Sequence, residues 1–242
     1  LQGDWGYSTV FRTEVSGIIG EKLGLTGRLM LWVMLLMVPS ALILGVMAGM
    51  REGSRTDRTL STFAITTTAT PEYVSGVLFI AIFASSAVGL KWFKGTATSA
   101  MENPSFENFF LPVLTIALYG MGYIARMTRA SMAEVMTAQY IRTARLKGVS
   151  FPNIVLKHAL RNALIAPFTV IMLQFPWLLN GVVIVETLFN YKGFGWTLVQ
   201  AASNNDIELL LAVSVVSVIV VLVTQLISDI GYVYLNPRIS VT

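Results

Sequence analysis

The side chains with most to offer chemically lie in one stretch, residues 126–161, RMTRASMAEVMTAQYIRTARLKGVSFPNIVLKHALR. Its cations are Arg126, Arg129, Arg142, Arg145, Lys147, Lys157 and Arg161, and its one acid is Glu134. Cations at that density attract anions: an acidic protein surface, or the head groups of anionic lipid. The only histidine of the chain, His158, falls in the same stretch. Zinc takes about four ligands, so one imidazole makes no metal site. The chain has no cysteine, which removes disulfides, thiol chemistry and zinc sites of the cysteine type. Neither the phosphate-cradling G-x-x-x-x-G-K-[ST] nor H-E-x-x-H nor G-x-S-x-G occurs. These absences leave an enzyme reading nothing to stand on, and the chain is expected to bind no cofactor or metal of its own.

The elements that position these cations can be read from propensity. Ala130 to Lys147 contains neither Gly nor Pro and is rich in helix formers. Gly148 interrupts it, and Ser150-Phe151-Pro152 restarts a helix, with Ser150 as N-cap and Pro152 in the first turn. The spacing predicts helix, short helix, glycine break, helix. Met132, Val135, Met136, Tyr140, Ala144 and Val149 fall on one apolar stripe. The result is a small knob with an apolar tip and a basic rim. It suits docking into a groove on a soluble protein, and it equally suits a solvated loop held by lipid head groups.

The rest of the chain is a membrane protein by composition. Of 242 residues, 55% are apolar and 12% charged, about half the charged share of a soluble domain, with a mean hydropathy of +0.68. The net charge of +4 matters less than its distribution, since the bases gather in two loops. That is an orientation signal and not a nucleic-acid footprint. Spans are predicted at about 29–50, 60–90, 109–128, 162–185 and 207–228; a crossing needs ~20 residues, so 60–90 is too long for one straight crossing. Residues 1–28 form an outer N-terminal segment, in which Val15, Ile18, Ile19, Leu23 and Leu25 predict a short interfacial helix over 14–25, with an ordinary loop as the alternative. The remainder, 29–242, holds the spans. Pro39 should kink the first span. The loop 51–58, REGSRTDR, is the second basic one, and Asp57 is expected to cap the helix after it.

Polar residues inside the spans are the other candidates. Thr66, Thr67, Thr68 and Thr70 precede Pro71-Glu72 in the second span, which suits a broken helix beside an aqueous path. Glu72 reads either as a pathway residue or as a first-turn acid favoured by the helix dipole. Gly120 and Gly122 permit close helix packing. Gln174 and Asn180, with Pro167 and Pro176, either bond neighbouring helices or face a path. Candidate path contacts are therefore Thr67, Thr70, Gln174 and Asn180. Residues 186–206 are rich in aromatics and glycine, and fit a short folded segment at the outer mouth or an interfacial aromatic belt. Ser214, Ser217 and Thr224 can bond backbone in the last span, which Ser228-Asp229 is expected to end.

YIRTARLKGVSFPNIVLKHALRNALIAP closely resembles the cytoplasmic loop signature of the membrane subunits of ABC importers, in the dipeptide, oligopeptide and nickel branch. The general form has Glu where Arg142 stands and Pro where Arg161 stands, while Ala144 and Gly148 keep the pattern; the peptide branch reads much as this chain does. GDWGYS near the start, LPVLTIAL at 111–118 and E-T-x-F-x-x-x-G-x-G from Glu186 to Gly195 resemble the same branch. At the end, Asp229, Tyr232, Pro237 and Arg238 fit its pattern, and Asn236 replaces an Asp.

The resemblance implies an all-α integral membrane protein with the type I ABC importer transmembrane fold. Five spans are expected in this chain, and a sixth, N-terminal, is expected to be missing. It implies docking on an ATPase through Tyr140, Arg142, Thr143, Ala144, Arg145, Lys147, Gly148, Val149 and Ser150. ATP and Mg would be held by partner subunits. The expected partners are a second homologous permease subunit, two ATP-binding-cassette ATPases, an outer substrate-binding protein and the lipid bilayer, with no nucleic acid. The expected place is the cytoplasmic (inner) membrane of a prokaryote, with the N-terminal end outside and the C-terminus cytoplasmic. Two other readings compete. An ion-coupled secondary transporter needs buried ionisable groups, which the runs 29–50, 109–125, 164–185 and 209–227 lack. A non-transporting scaffold has no need of broken helices.

Overall fold

The longest helix, α1 (Val15–Gly49), absorbs both the expected short N-terminal helix and the first span. The separate helix over 14–25 is thus corrected to the first turns of one 35-residue helix. Four glycines lie in those turns, and each costs about 1 kcal/mol against alanine. Packing outweighs them, because Val15, Ile18, Ile19, Leu25, Leu29 and Val33 are all buried along one side. The helix also continues through Pro39.

The computed structural model describes residues 5–85 and 89–235, with the side chains of Phe175, Leu179, Asn180, Gly181, Tyr232, Tyr234 and Leu235 excepted. A two-stranded antiparallel hairpin, β1 (Tyr7–Ser8) and β2 (Thr13–Glu14), precedes α1. After α1 come α2 (Arg55–Ala69) and α3 (Glu72–Phe79), which continues as a π-helical turn over Ile80–Ala84. The break between α2 and α3 falls at Thr70 and Pro71, where proline removes a donor and crowds the preceding turn. Then follow α4 (Phe106–Met136), α5 (Gln139–Leu146), α6 (Phe151–Asn153), a π-helical stretch over Ile154–Ala159 and α7 (Leu160–Ala163). The chain closes with α8 (Ile165–Leu188), α9 (Phe194–Ser203) and α10 (Ile207–Leu235). Ser228-Asp229 does not end the last helix, which runs on to Leu235. Asn236, Pro237 and Arg238 lie outside the described residues.

Among the described residues three helices are long and apolar enough to cross a membrane: Val15–Gly49, Phe106–Met136 and Ile207–Gly231. Two broken pairs, Arg55–Ala69 with Glu72–Ala84 and Phe151–Ala163 with Ile165–Leu178, bring the number to five when each pair is taken as one crossing. The three long helices differ in surroundings. In α4, 72% of the most apolar window is buried, against 28% in α1 and 17% in α10. α4 therefore meets protein on most sides, whereas α10 turns Leu211, Val218, Leu222, Leu226 and Ile230 outward. A continuous apolar stripe of that kind is stable when lipid covers it.

The contacts divide the chain into two compact units. One comprises Leu1–Met34, Pro71–Ala117 and Pro176–Gln225, and the other Leu35–Thr70, Leu118–Phe175 and Leu226–Thr242. The core of the first gathers Val15, Ile18, Ile19, Phe194, Ala201, Leu209, Ala212 and Val213. The core of the second gathers Met132, Met136, Ile141, Ala144, Ile154, Val155, Ala159 and Ala163.

Candidate functional site

The basic stretch folds as a knob at the end of α4, within the second unit. α4 stops at Met136, and Thr137 and Ala138 form a turn whose amides donate to Glu134 O and Val135 O. α5 follows and ends on Gly148, which takes a φ of +76°. The Gly148 amide donates to Arg145 O at 3.0 Å and the Val149 amide to Ala144 O at 3.2 Å. These are the two bonds of a Schellman turn, and its usual apolar contact is present, since Val149 packs on the cluster that holds Ala144. Only glycine enters that left-handed conformation without strain. Ser150 stands at the N-cap of α6 as expected, yet its side chain makes no capping bond, and Pro152 occupies the first turn.

The nine expected docking residues fall into two groups. Ala144 is buried and Val149 half-buried, and both anchor the turn. Tyr140, Arg142, Thr143, Arg145, Lys147, Gly148 and Ser150 are exposed. The Asn162 amide donates to Tyr140 Oη at 2.9 Å, which fixes the phenol against the helix that returns from the knob. The apolar stripe needs correcting at one place. Ile141 is fully buried and Tyr140 is 41% exposed, the reverse of the pattern read from the sequence. The turn at 137–138 restarts the helical phase, so a stripe counted straight through it slips by one residue. The apolar tip is instead Leu146, 82% exposed among Arg142, Arg145 and Lys147.

The other basic loop is fastened to the base of this knob. Ser54 caps α2, accepting from the Asp57 amide at 3.1 Å. Asp57 is therefore not the cap. Its carboxylate accepts from the Gly53 amide at 2.8 Å and Ser61 Oγ at 3.0 Å, and forms a two-pronged pair with Arg129, both contacts 2.8 Å. Arg129 also reaches Glu52 at 3.5 Å. The pair ties the start of α2 to the last turns of α4. A groove of about 660 Å³ lies beside it, lined by Gly49 to Glu52 on one side and by Ala133, Met136, Arg145, Val149 and Phe151 on the other. The Arg51 guanidinium stands 4.9 Å over the Phe151 ring, a cation–π contact across that groove.

Of the four path candidates, the structure describes the side chains of Thr67, Thr70 and Gln174. Thr67 is buried, donates to Ala64 O at 3.0 Å and packs against Gly122. Gln174 is buried beside Gly120, which also meets Met37. A methyl group at either glycine would collide with these neighbours, so Thr67 and Gln174 support the close packing of α4. Thr70 is the half-buried C-cap of α2 at the helix break, where its hydroxyl donates to Thr66 O at 2.8 Å. The side chain of Asn180 lies outside the described residues.

In the first unit, the aromatic and glycine-rich segment is built around Glu186. Its carboxylate is buried, receives a short bond from Thr26 Oγ1 and accepts from the Trp196 amide at 2.9 Å, while the Phe194 amide donates to Thr26 Oγ1 at 2.8 Å. Phe189, Tyr191 and Phe194 are buried, which decides for a folded segment over an interfacial belt at these three positions. Tyr191 Oη donates to Leu25 O at 2.9 Å, and burial pushes its phenol up to about 12, so it stays a donor. The N-terminal hairpin is latched to α10 in the same unit. Asp206, just before α10, accepts from Ser8 Oγ at 2.6 Å, the Val10 amide at 3.1 Å and the Leu209 amide at 3.3 Å. Burial alone would raise this carboxyl, but those bonds outweigh it and hold it below the ordinary aspartate value. Ser8 is the serine of the GDWGYS element, so the motif has a mechanical role that spacing alone did not reveal.

Residues 41–241 match the family described as "binding-protein-dependent transport system inner membrane component". Over the whole chain it is similar to a probable peptide ABC transporter permease protein of Sinorhizobium fredii, at 34% identity across 99% of this chain and 76% of that one. A glutathione transport system permease protein of Escherichia coli is also 34% identical, over 99% of this chain and 76% of its own length. An oligopeptide transport system permease protein of Bacillus subtilis is 34% identical, over 99% and 77%. Two solved structures share the fold. The MetNI methionine ABC transporter, in an inward-facing crystal form, superposes with a TM-score of 0.63 over 92% of this chain and 96% of that one, at 18% identity. An amino acid ABC transporter crystallised with histidines gives 0.64, over 90% and 94%, at 14% identity.

Proposed function

The chain belongs to the family of binding-protein-dependent transport system inner membrane components, the permease subunits of ABC importers with the type I fold, and from that premise we propose that it imports a peptide or a peptide-like solute. The names of the relatives, which are permeases for peptide, oligopeptide and glutathione, support that cargo class. In this reading the chain hydrolyses nothing itself and holds no nucleotide. ATP and Mg are bound by two ATPase subunits, a second homologous permease subunit completes the pore, and an outer binding protein delivers the solute. The membrane is the cytoplasmic one of a prokaryote. The two basic loops face the cytosol, the N-terminal end of this chain faces out and the C-terminus faces in.

The observation that carries the mechanism is the knob: a short helix closed by a left-handed glycine, with Leu146 exposed among Arg142, Arg145 and Lys147. An exposed apolar tip ringed by cations fits a groove with an apolar floor and acidic walls. The ATPase moves the knob on binding nucleotide, and α4, unbroken into its base, carries the displacement. Thr70, at the helix break, is the path residue this geometry favours. Thr67 and Gln174 act behind the wall through the packing of α4, and Asn180 remains a path residue of this reading. Reconstitution in vesicles tests the whole account. Uptake of tri-alanine should require the ATPase subunits, ATP and the binding protein. Uptake by this chain alone, driven by an ion gradient, would replace the reading with secondary transport.

A further inference from the structure

One acid stands apart from everything above. Within the run Leu60 to Leu90, Glu72 is the only charged residue, and the runs 29–50, 109–125, 164–185 and 209–227 contain none. A carboxylate at membrane depth is costly unless a cation or donors compensate it, and such residues mark sites more often than they stabilise a fold. Glu72 is 8% exposed, and its Oε1 has no hydrogen-bond partner among the described residues. It opens α3 directly after the break at Pro71. Ser75 and Gly76, one turn on, are buried on the same side. That side is seated closely in its unit, since a methyl group at Gly76 would meet Leu188, Thr115 and Phe189. Thr115 offers no donor there, because its hydroxyl donates to Leu111 O at 2.8 Å.

We infer that Glu72 is a recognition site for a cationic group on the solute, and that with peptide cargo this group is the terminal ammonium. The inference rests on the peptide reading proposed above. An ammonium would supply both the charge and the donor that the Oε1 atom lacks, in a medium where each is worth more than in water. A solute without a cation leaves the acid uncompensated, and selectivity follows from that penalty.

The test uses the assembled importer in nanodiscs, without the binding protein, and measures equilibrium binding of tri-alanine and of N-acetyl-tri-alanine. The wild type should bind the free-amine peptide at least tenfold more tightly. Glu72→Gln should abolish the difference, and Glu72→Asp should keep part of it. Equal binding of both peptides by the wild type, no binding of either, or a preference that survives in Glu72→Gln overturns the inference. If Glu72→Gln fails to assemble, the wild-type ratio and the Glu72→Asp complex are sufficient to decide. ATP-driven uptake by the wild type is scored separately. Uptake without an amine preference removes only the role of Glu72, whereas no uptake of any peptide removes the cargo reading beneath it.

Discussion

Gly148 separates two roles that a single residue can play in a knob, filling space and setting direction. A Cβ there would touch nothing within 4 Å, so a substitution creates no clash and acts only through its φ of +76°. A β-branched side chain resists that conformation, while asparagine tolerates it. Gly148→Val should therefore insert and fold but lose most ATP-coupled uptake or the ATPase itself on purification, and Gly148→Asn should retain both. Normal transport by the valine variant would detach the turn from coupling. Arg129 makes the second case. Removing it leaves the Asp57 carboxylate with only the Gly53 and Ser61 donors, and because Arg129 is itself about 31% exposed the cost should fall below the ~3–5 kcal/mol of a fully buried pair. Arg129→Ala should lower the melting temperature of the purified complex clearly, and Arg129→Lys, which keeps the charge but not the fork, should fall between.

The hairpin and α10 show how an element can be held by ionisation state. Asp206 has a folded value below its ordinary one, so its stabilising share is fully present above about pH 4 and is lost as the pH falls through the lower folded value. Amide exchange at Val10, whose N–H donates to Asp206, should be slow at neutral pH relative to an unstructured peptide at the same pH, and should approach that reference rate on acidification. In Asp206→Ala it should be fast throughout and lack that pH step. Element by element, the legible parts were those written in local chemistry. The glycine stop at 148, the proline break at 71 and the glycine contacts of α4 follow from what Gly and Pro permit. The illegible parts depended on distant partners. Nothing near Asp57 in the sequence announces Arg129, and nothing near Ser8 announces Asp206. The exchange of roles between Tyr140 and Ile141 was hidden because a two-residue turn shifts the helical phase. The helix start at Val15 was hidden because burial overrode four glycines.

For the whole molecule the open question is orientation, and the absence of cysteine gives it a clean test. Single cysteines at Arg58 and Ser150, both exposed, should react with an impermeant thiol reagent only from the cytosolic side. Cysteines at Glu102 and Asn204, also exposed, should react only from the outside. Any pair labelled from the same side across this division would break the five-crossing topology, and an exchange of sides by both groups would invert it. Leu146 carries a further consequence at this scale. Complete burial of a leucine is worth about 1.5–3 kcal/mol, and this one, 82% exposed, realises little of that within its own chain. In the proposed assembly, a subunit made in excess of its companions would leave this apolar side chain uncovered, framed by Arg142, Arg145 and Lys147. In the docking proposed above, the side chain that would join the complex is also the one left bare on an unassembled subunit.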